Sequence, residues 1–304
     1  MTYEEFKIAM TAEVTNLAGE EVNVLLHRIP KNNGIILDAI TVMGNGQNAA
    51  PSIYLKDFYL RYRQGSSVRD LAEEILEFSR LNHIRGRIPE KFFLDFSLVR
   101  KRICFKLIHY KKNAGLLRSV PHRRVLDLAM VFYYSMEPNV LEHASVLIRN
   151  TDVERWHTTG KEIEDLAMEN TPRLMEWRFS TLSELLQEFM DGDKREDEID
   201  PFRIDPDEVQ SAPMYVLTNR EKYFGAACML YPDLLKQISD KLNDNLYILP
   251  SSIHECIIMP ASGEYSQKSL SEMVTEINEV QVDETEVLSD NVYYFDRMTG
   301  SIAI

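Results

Sequence analysis

The chain has 304 residues, 44% of them hydrophobic and 27% charged, and carries a formal net charge of −14. These are globular values at a length that supports a sizeable core, and they exclude fibrous and disordered classes. The acidic balance argues against simple nucleic-acid or anionic-membrane binding by the chain as a whole.

The opening MTYEEFK places two acids before any apolar run, unlike a secretory signal. Thr2 to Leu17 reads as a helix, with Thr2 and Glu5 at capping-box spacing and Tyr3, Phe6, Met10, Val14 and Leu17 on one apolar stripe. EVNVLLHRIP and GIILDAITVM alternate as strands, and KNNG between them signals a hairpin. Gly44, Gly46 and Ala49 then spell G-x-G-x-x-A. The preceding strand is a hairpin arm, however, and Pro51 stands where a phosphate-binding helix should run, so a plain glycine turn is expected and no cofactor. Ile53 to Tyr62 and Val68 to Asn82, the second capped by Ser66 or Ser67, form an αα-hairpin around Gly65.

Arg80 to Arg124 holds thirteen Lys or Arg against two acids, a local charge of +11 that leaves −25 on the remainder. Such segregation makes a local anion-attracting surface, with His122, Arg123 and Arg124 as its candidate site. Within and beyond this tract ICFKLIHY reads as a strand, RRVLDLAMVFYYSM as one long buried strand, and ASVLIRN as its neighbour. The longest apolar run, Leu128 to Tyr134, is far short of the roughly 20 residues of a membrane-spanning helix, which implies a soluble, cytoplasmic chain without membrane partners. Asp152 to Trp156 make a helical turn. KEIEDLAMEN is an amphipathic helix ending at Thr171 and Pro172, and TLSELLQEFM begins another at Ser180. Asp191 to Glu208 contains nine acids, three bases and two prolines, the composition of a linker or loop.

Met214 to Pro260 forms one strand, helix, helix, strand, strand unit. Asn219 stands where it would cap the first helix, Gly225, Ala226 and Ala227 thin one face of that helix for close packing, and LYIL-PSS-HECIIMP reads as a hairpin. SLSEMVTEINEV follows as a helix with Ser269 and Glu272 at capping-box spacing, and NVYYFDRMTGSIAI closes the chain as strand, turn and strand. The expected fold is therefore α+β: an N-terminal helix, β-hairpin and αα-hairpin over residues 1–90, then two packed α/β lobes, 91–190 and 211–304, joined by an acidic linker over 191–210.

Chemistry-bearing motifs fail on context. Cys104, Cys228 and Cys256 are isolated, so neither zinc spacing nor a disulfide framework exists, and buried free thiols are expected. His254 and Glu255 begin like a zinc-protease motif, but Ile258 occupies the second ligand position, so no metal site is expected. Ser251, Ser252, His254 and Glu255 supply groups that acyl transfer uses, without a G-x-S-x-G elbow. Asn219 and Arg220 at a strand end could hold an anion.

The stretches VPHRRVLDLAMVFYY, ENTPRL, MYVLTNREKYFGAACMLY, LYILPSSIHECIIMP and LSDNVYYFDR resemble an uncharacterised family of Gram-positive bacterial proteins, a domain of unknown function. They are more distantly similar to the YtpQ-like family. The resemblance implies a bacterial, cytoplasmic α+β protein and brings no activity. A non-catalytic binding or regulatory protein is expected, with Asn219, Arg220, Ser251, Ser252 and His254 as its ligand or partner surface and no catalytic residue assigned. One alternative is a hydrolase or transferase using a hairpin-tip serine. The other is an anionic-ligand or nucleic-acid binder acting through residues 80–124.

Overall fold

A computed structural model of the chain describes residues 1–20, 22–84, 88–136, 145–184 and 214–304. The fold is α+β, with helices and three antiparallel sheets. The chain divides into two compact units, one over Met1–Asp95 and one formed by the described residues from Phe96 onward.

The first unit begins with helix Tyr3–Ala18, where the expected capping box is formed: Thr2 Oγ1 accepts from the Glu5 amide, and the Glu5 carboxylate accepts from the Thr2 amide. Strands β1 (Val22–Pro30) and β2 (Ile36–Gly44) make the hairpin, joined through Asn33 in the left-handed region that asparagine tolerates (φ 60°). Ile53, expected to open the helix, sits in β3 (Ser52–Tyr54), which adds to β2, and the helix starts afterwards at Leu55. Helices Leu55–Arg63 and Val68–Leu81 follow, the second capped by Ser67. Phe6, Met10, Val14, Ile40, Val42, Leu71 and Ile75 share one buried core. Gly44 to Gln47 closes as a turn, with the Gln47 amide on the Gly44 carbonyl at 3.2 Å.

The second unit contains two sheets. In the first, β6 (Leu128–Ser135) lies between β4 (Ile103–His109) and β5 (His122–Val125), and β7 (Ser145–Leu147) pairs with the end of β6. The one long strand expected from RRVLDLAMVFYYSM is thus a hairpin. It reverses at Leu126, which adopts φ 55°, and at Asp127, whose carbonyl accepts from the Tyr110 amide at 2.9 Å. Leucine has no preference for the left-handed region, so tertiary contacts rather than turn chemistry hold this reversal. The second sheet has the order β13-β12-β10-β11-β9-β8, built from β8 (Trp177–Thr181), β9 (Tyr215–Asn219), β10 (Leu246–Leu249), β11 (Cys256–Pro260), β12 (Tyr293–Asp296) and β13 (Ser301–Ala303).

Helix Gly160–Leu174 continues past the expected stop and accommodates Pro172, with the Met175 amide still reaching the Thr171 carbonyl at 2.8 Å. It is pinned to the start of β4, where Thr171 Oγ1 accepts from the Phe105 amide and Asn170 Nδ2 donates to the carbonyls of Arg100 and Ile103. The segment read as a helix from Ser180 stays in β8 through Thr181, which then exchanges capping hydrogen bonds with Glu184. The remainder of TLSELLQEFM and the acidic stretch Asp191–Glu208 lie outside the described residues. Helices Leu234–Leu242 and Gln267–Val280 complete the unit, the latter capped three residues earlier than expected, by Ser266. Among the described residues, no helix is long and apolar enough to cross a membrane.

Candidate functional site

The segment after β9 departs from the expected helix. Asn219 ends β9 and caps no helix, and the chain makes a turn through Arg220–Tyr223 before the 3-10 helix Gly225–Leu230. Both atoms of the Asn219 amide are spent on this turn: Oδ1 accepts from the Tyr223 amide at 3.2 Å, and Nδ2 donates to the Tyr223 carbonyl at 2.8 Å. Lys222 (φ 51°) and Phe224 (φ 56°) both lie in the left-handed region, a conformation that costs non-glycine residues energy and persists only where surroundings enforce it. For Phe224 those surroundings come from the β10–β11 connection. The Phe224 amide donates to His254 Nδ1 at 3.3 Å, and Thr218 Oγ1 donates to the His254 carbonyl at 2.8 Å. Gly225 sits in the gap between them. A Cβ there would stand 2.2 Å from Thr218 Oγ1 and 2.4 Å from the His254 carbonyl oxygen. Gly225, Ala226 and Ala227 are all buried.

The PSS stretch is no tight hairpin tip. Pro250 to Glu255 leaves the sheet and zips onto residues 286–289: the carbonyls of Pro250 and Ser251 accept from the Ser289 and Leu288 amides, and the Ile253 amide donates to the Glu286 carbonyl. Ser252 is buried, with its Oγ accepting from the His254 backbone amide at 3.0 Å and its hydroxyl bonded to the Glu255 carboxylate. Burial pushes the Glu255 carboxyl up from its ordinary range, and the Ser252 hydrogen bond only partly offsets this. Because His254 Nδ1 accepts, the proton of the neutral ring sits on Nε2, which faces Glu286 Oε1 at 3.5 Å. The imidazole is stacked parallel to the Phe224 ring, and Lys106 Nζ lies 3.9 Å over the other aromatic partner of that pair, Phe224.

Asn219, Ser252 and His254 are thus brought together, but as the frame of a turn. Arg220 projects outward from it and pairs with exposed Glu176 at 3.1 Å, and Ser251 contributes its backbone. Sequence reasoning missed Tyr223, Phe224 and Glu286. The one local signal was the glycine after YF, since nothing in residue type marks a left-handed lysine or phenylalanine.

Each of the three residues of the anion candidate is already engaged by other groups. Arg123 pairs with Glu164 at 3.3 Å, whereas Arg124 donates to the Leu126 carbonyl and stacks 4.7 Å over the Tyr110 ring. His122 lines a cleft of about 480 Å³ together with Pro121, Phe132, Asn150, Glu154 and Lys161. Elsewhere in the basic tract, Lys112 pairs with Asp290 at 3.6 Å. Cys104, Cys228 and Cys256 are buried and unpaired, and among the described residues no group of His, Cys, Asp or Glu is arranged to hold a metal ion.

The model of one protein family, described as a family of unknown function (DUF5688), matches residues 3–297, and the chain belongs to that family. No curated protein and no solved structure matches it.

Proposed function

We propose that this member of the family of unknown function DUF5688 is a non-catalytic binding or regulatory protein of the bacterial cytoplasm that presents the turn Arg220–Tyr223 to a protein partner. One observation carries the reading: the groups that would do chemistry are occupied in shaping the turn. Ser252 Oγ takes the backbone amide of His254, and the imidazole takes the Phe224 amide, so neither is poised as nucleophile or base toward the other. What the frame displays is a short, charged and aromatic segment, with Arg220, Glu221, Lys222 and Tyr223 all exposed on a locked backbone. A loop held in one conformation before binding loses less entropy when it docks, which is how rigid scaffolds favour recognition. The Gram-positive source and the distant YtpQ-like likeness belong to the same reading, and three buried free thiols fit a reducing compartment.

The test replaces Tyr223 with benzoylphenylalanine and irradiates cells of the source bacterium. A single saturable adduct is expected, competed by excess unmodified protein but not by an Arg220→Ala/Tyr223→Ala variant. The same group at Met298, which is 90% exposed, should give none. Equal labelling at both positions would overturn the reading. So would turnover in a hydrolase panel that Ser252→Ala or His254→Ala abolishes while the fold stays intact.

A further inference from the structure

We infer that the cleft beside β5 is a binding site for a small organic amine, distinct from the Arg220–Tyr223 turn. Its volume of about 480 Å³ lies within the range of small-molecule sites. Phe132, itself buried, supplies apolar lining, and the polar groups around it offer more acceptors than donors.

His122 Nδ1 lies 3.0 Å from the Val120 carbonyl, which can only accept, so Nδ1 carries the ring proton and Nε2 is left as a lone pair. Asn150 gives one Nδ2 hydrogen to the Arg118 carbonyl at 3.2 Å, which leaves its Oδ1 and the second Nδ2 hydrogen available. Glu154 is exposed and lines the cleft. Glu164 is held by Arg123 at 3.3 Å and Lys161 at 3.7 Å. Lys161, the one cationic side chain among the described residues of the lining, is turned to Asp165 at 2.8 Å. An anion entering the cleft would meet the Glu154 and Glu164 carboxylates and the His122 Nε2 lone pair, with one Asn150 N–H and a lysine already paired to Asp165 as donors, whereas an ammonium or guanidinium group would find acceptors on several sides. The ligand is therefore an amine on an apolar body, with the charged end at Glu154 and the body against Phe132.

Isothermal titration of the full chain with phenethylamine, and with 3-phenylpropionate as an anion of matched size, tests this. Phenethylamine should bind and 3-phenylpropionate should not. Glu154→Gln should weaken the amine by roughly tenfold or more, since a hydrogen bond to a charged partner is lost. Lys161→Ala should leave amine affinity equal or improved. Glu154 is exposed, so Glu154→Gln leaves the fold intact, checked by circular dichroism. Absence of amine binding at millimolar concentration would overturn the inference. Equal or tighter binding of the carboxylate would overturn it too, as would unchanged affinity in Glu154→Gln.

Discussion

Across 166 positions of chain, the Tyr293 hydroxyl donates to the Asp127 carboxylate at 2.5 Å. The other oxygen of Asp127 accepts from Ser289 Oγ at 2.7 Å and Asn291 Nδ2 at 2.9 Å, so a single carboxylate at the β5–β6 reversal fastens the first sheet of the second unit to the start of β12. Burial alone would push this carboxyl up, but the hydrogen bonds from Tyr293, Ser289 and Asn291 outweigh it and hold it below the usual carboxylate range.

A depressed folded value means that the unfolded state binds the proton more readily. Asp127 therefore contributes stability that is present above about pH 4, the ordinary aspartate value, and lost as the pH falls further. Asp127→Ala should lower unfolding free energy by roughly 2 kcal/mol, because Tyr293, which is fully buried, keeps a hydroxyl without its acceptor. Urea titrations at pH 7 and pH 3 check both points. The difference between wild type and variant should shrink at the lower pH, and a constant difference would contradict this role.

Gly225→Ala should be among the most damaging single-methyl changes in the chain. Two of the three atoms crowding the added Cβ are backbone, the His254 oxygen at 2.4 Å and the Asn219 nitrogen at 2.8 Å, and neither can rotate away. Overpacking of this kind costs roughly 1–3 kcal/mol and sometimes more. Gly115→Ala is the control, since nothing lies within 4 Å of its added Cβ. Thermal melts should separate the two variants by several degrees.

Much of the architecture was legible because its signals are local. Thr2 and Glu5 announce the first helix through their own hydrogen bonds, and KNNG marks its hairpin through an asparagine suited to φ 60°. Leu126, Lys222 and Phe224 are different. Asp127 beside Leu126 is held by Tyr110 and Tyr293, and the Phe224 amide by His254, all contacts from distant segments, so the β5–β6 reversal read as a continuous strand and the turn after β9 as a helix. Pro172 misled in the opposite direction, because tertiary anchoring through Asn170 and Thr171 outweighs one missing backbone hydrogen bond. At the candidate site, Asn219, Ser252 and His254 were identified as polar groups at strand ends. Their roles were not legible, since a serine that accepts from a neighbouring amide and one that attacks a carbonyl share the same letters.

Asn219→Ala should loosen the turn without unfolding the sheet. The variant loses an acceptor for the Tyr223 amide and a donor to the Tyr223 carbonyl, at a net cost of about 1–2 kcal/mol. Amide exchange followed by mass spectrometry should show faster exchange over residues 220–224 and unchanged protection in β4. Uniform acceleration across both segments would mean that Asn219 acts on global stability and has no particular hold on the turn.

The three cysteines give the last expectation. Burial pushes the Cys104 thiol up to about 11 and the Cys228 thiol up to about 12, and it raises Cys256 well above its ordinary value. Reaction with a disulfide reagent needs the thiolate and a path to it, and all three side chains are closed off from solvent. At pH 8 the native protein should therefore resist such a reagent for many minutes and then release three equivalents at once in guanidinium chloride. The same shifts tie stability to alkaline pH. An unfolded thiol loses its proton near pH 8.5 while the folded one keeps it, so stability should decline as the pH rises above about 8.5. A Cys104→Ala/Cys228→Ala variant would lose packing at neutral pH but show a shallower alkaline decline. Prompt labelling of any one thiol in the folded protein would show that its buried surroundings open locally, at a free-energy cost well below that of global unfolding.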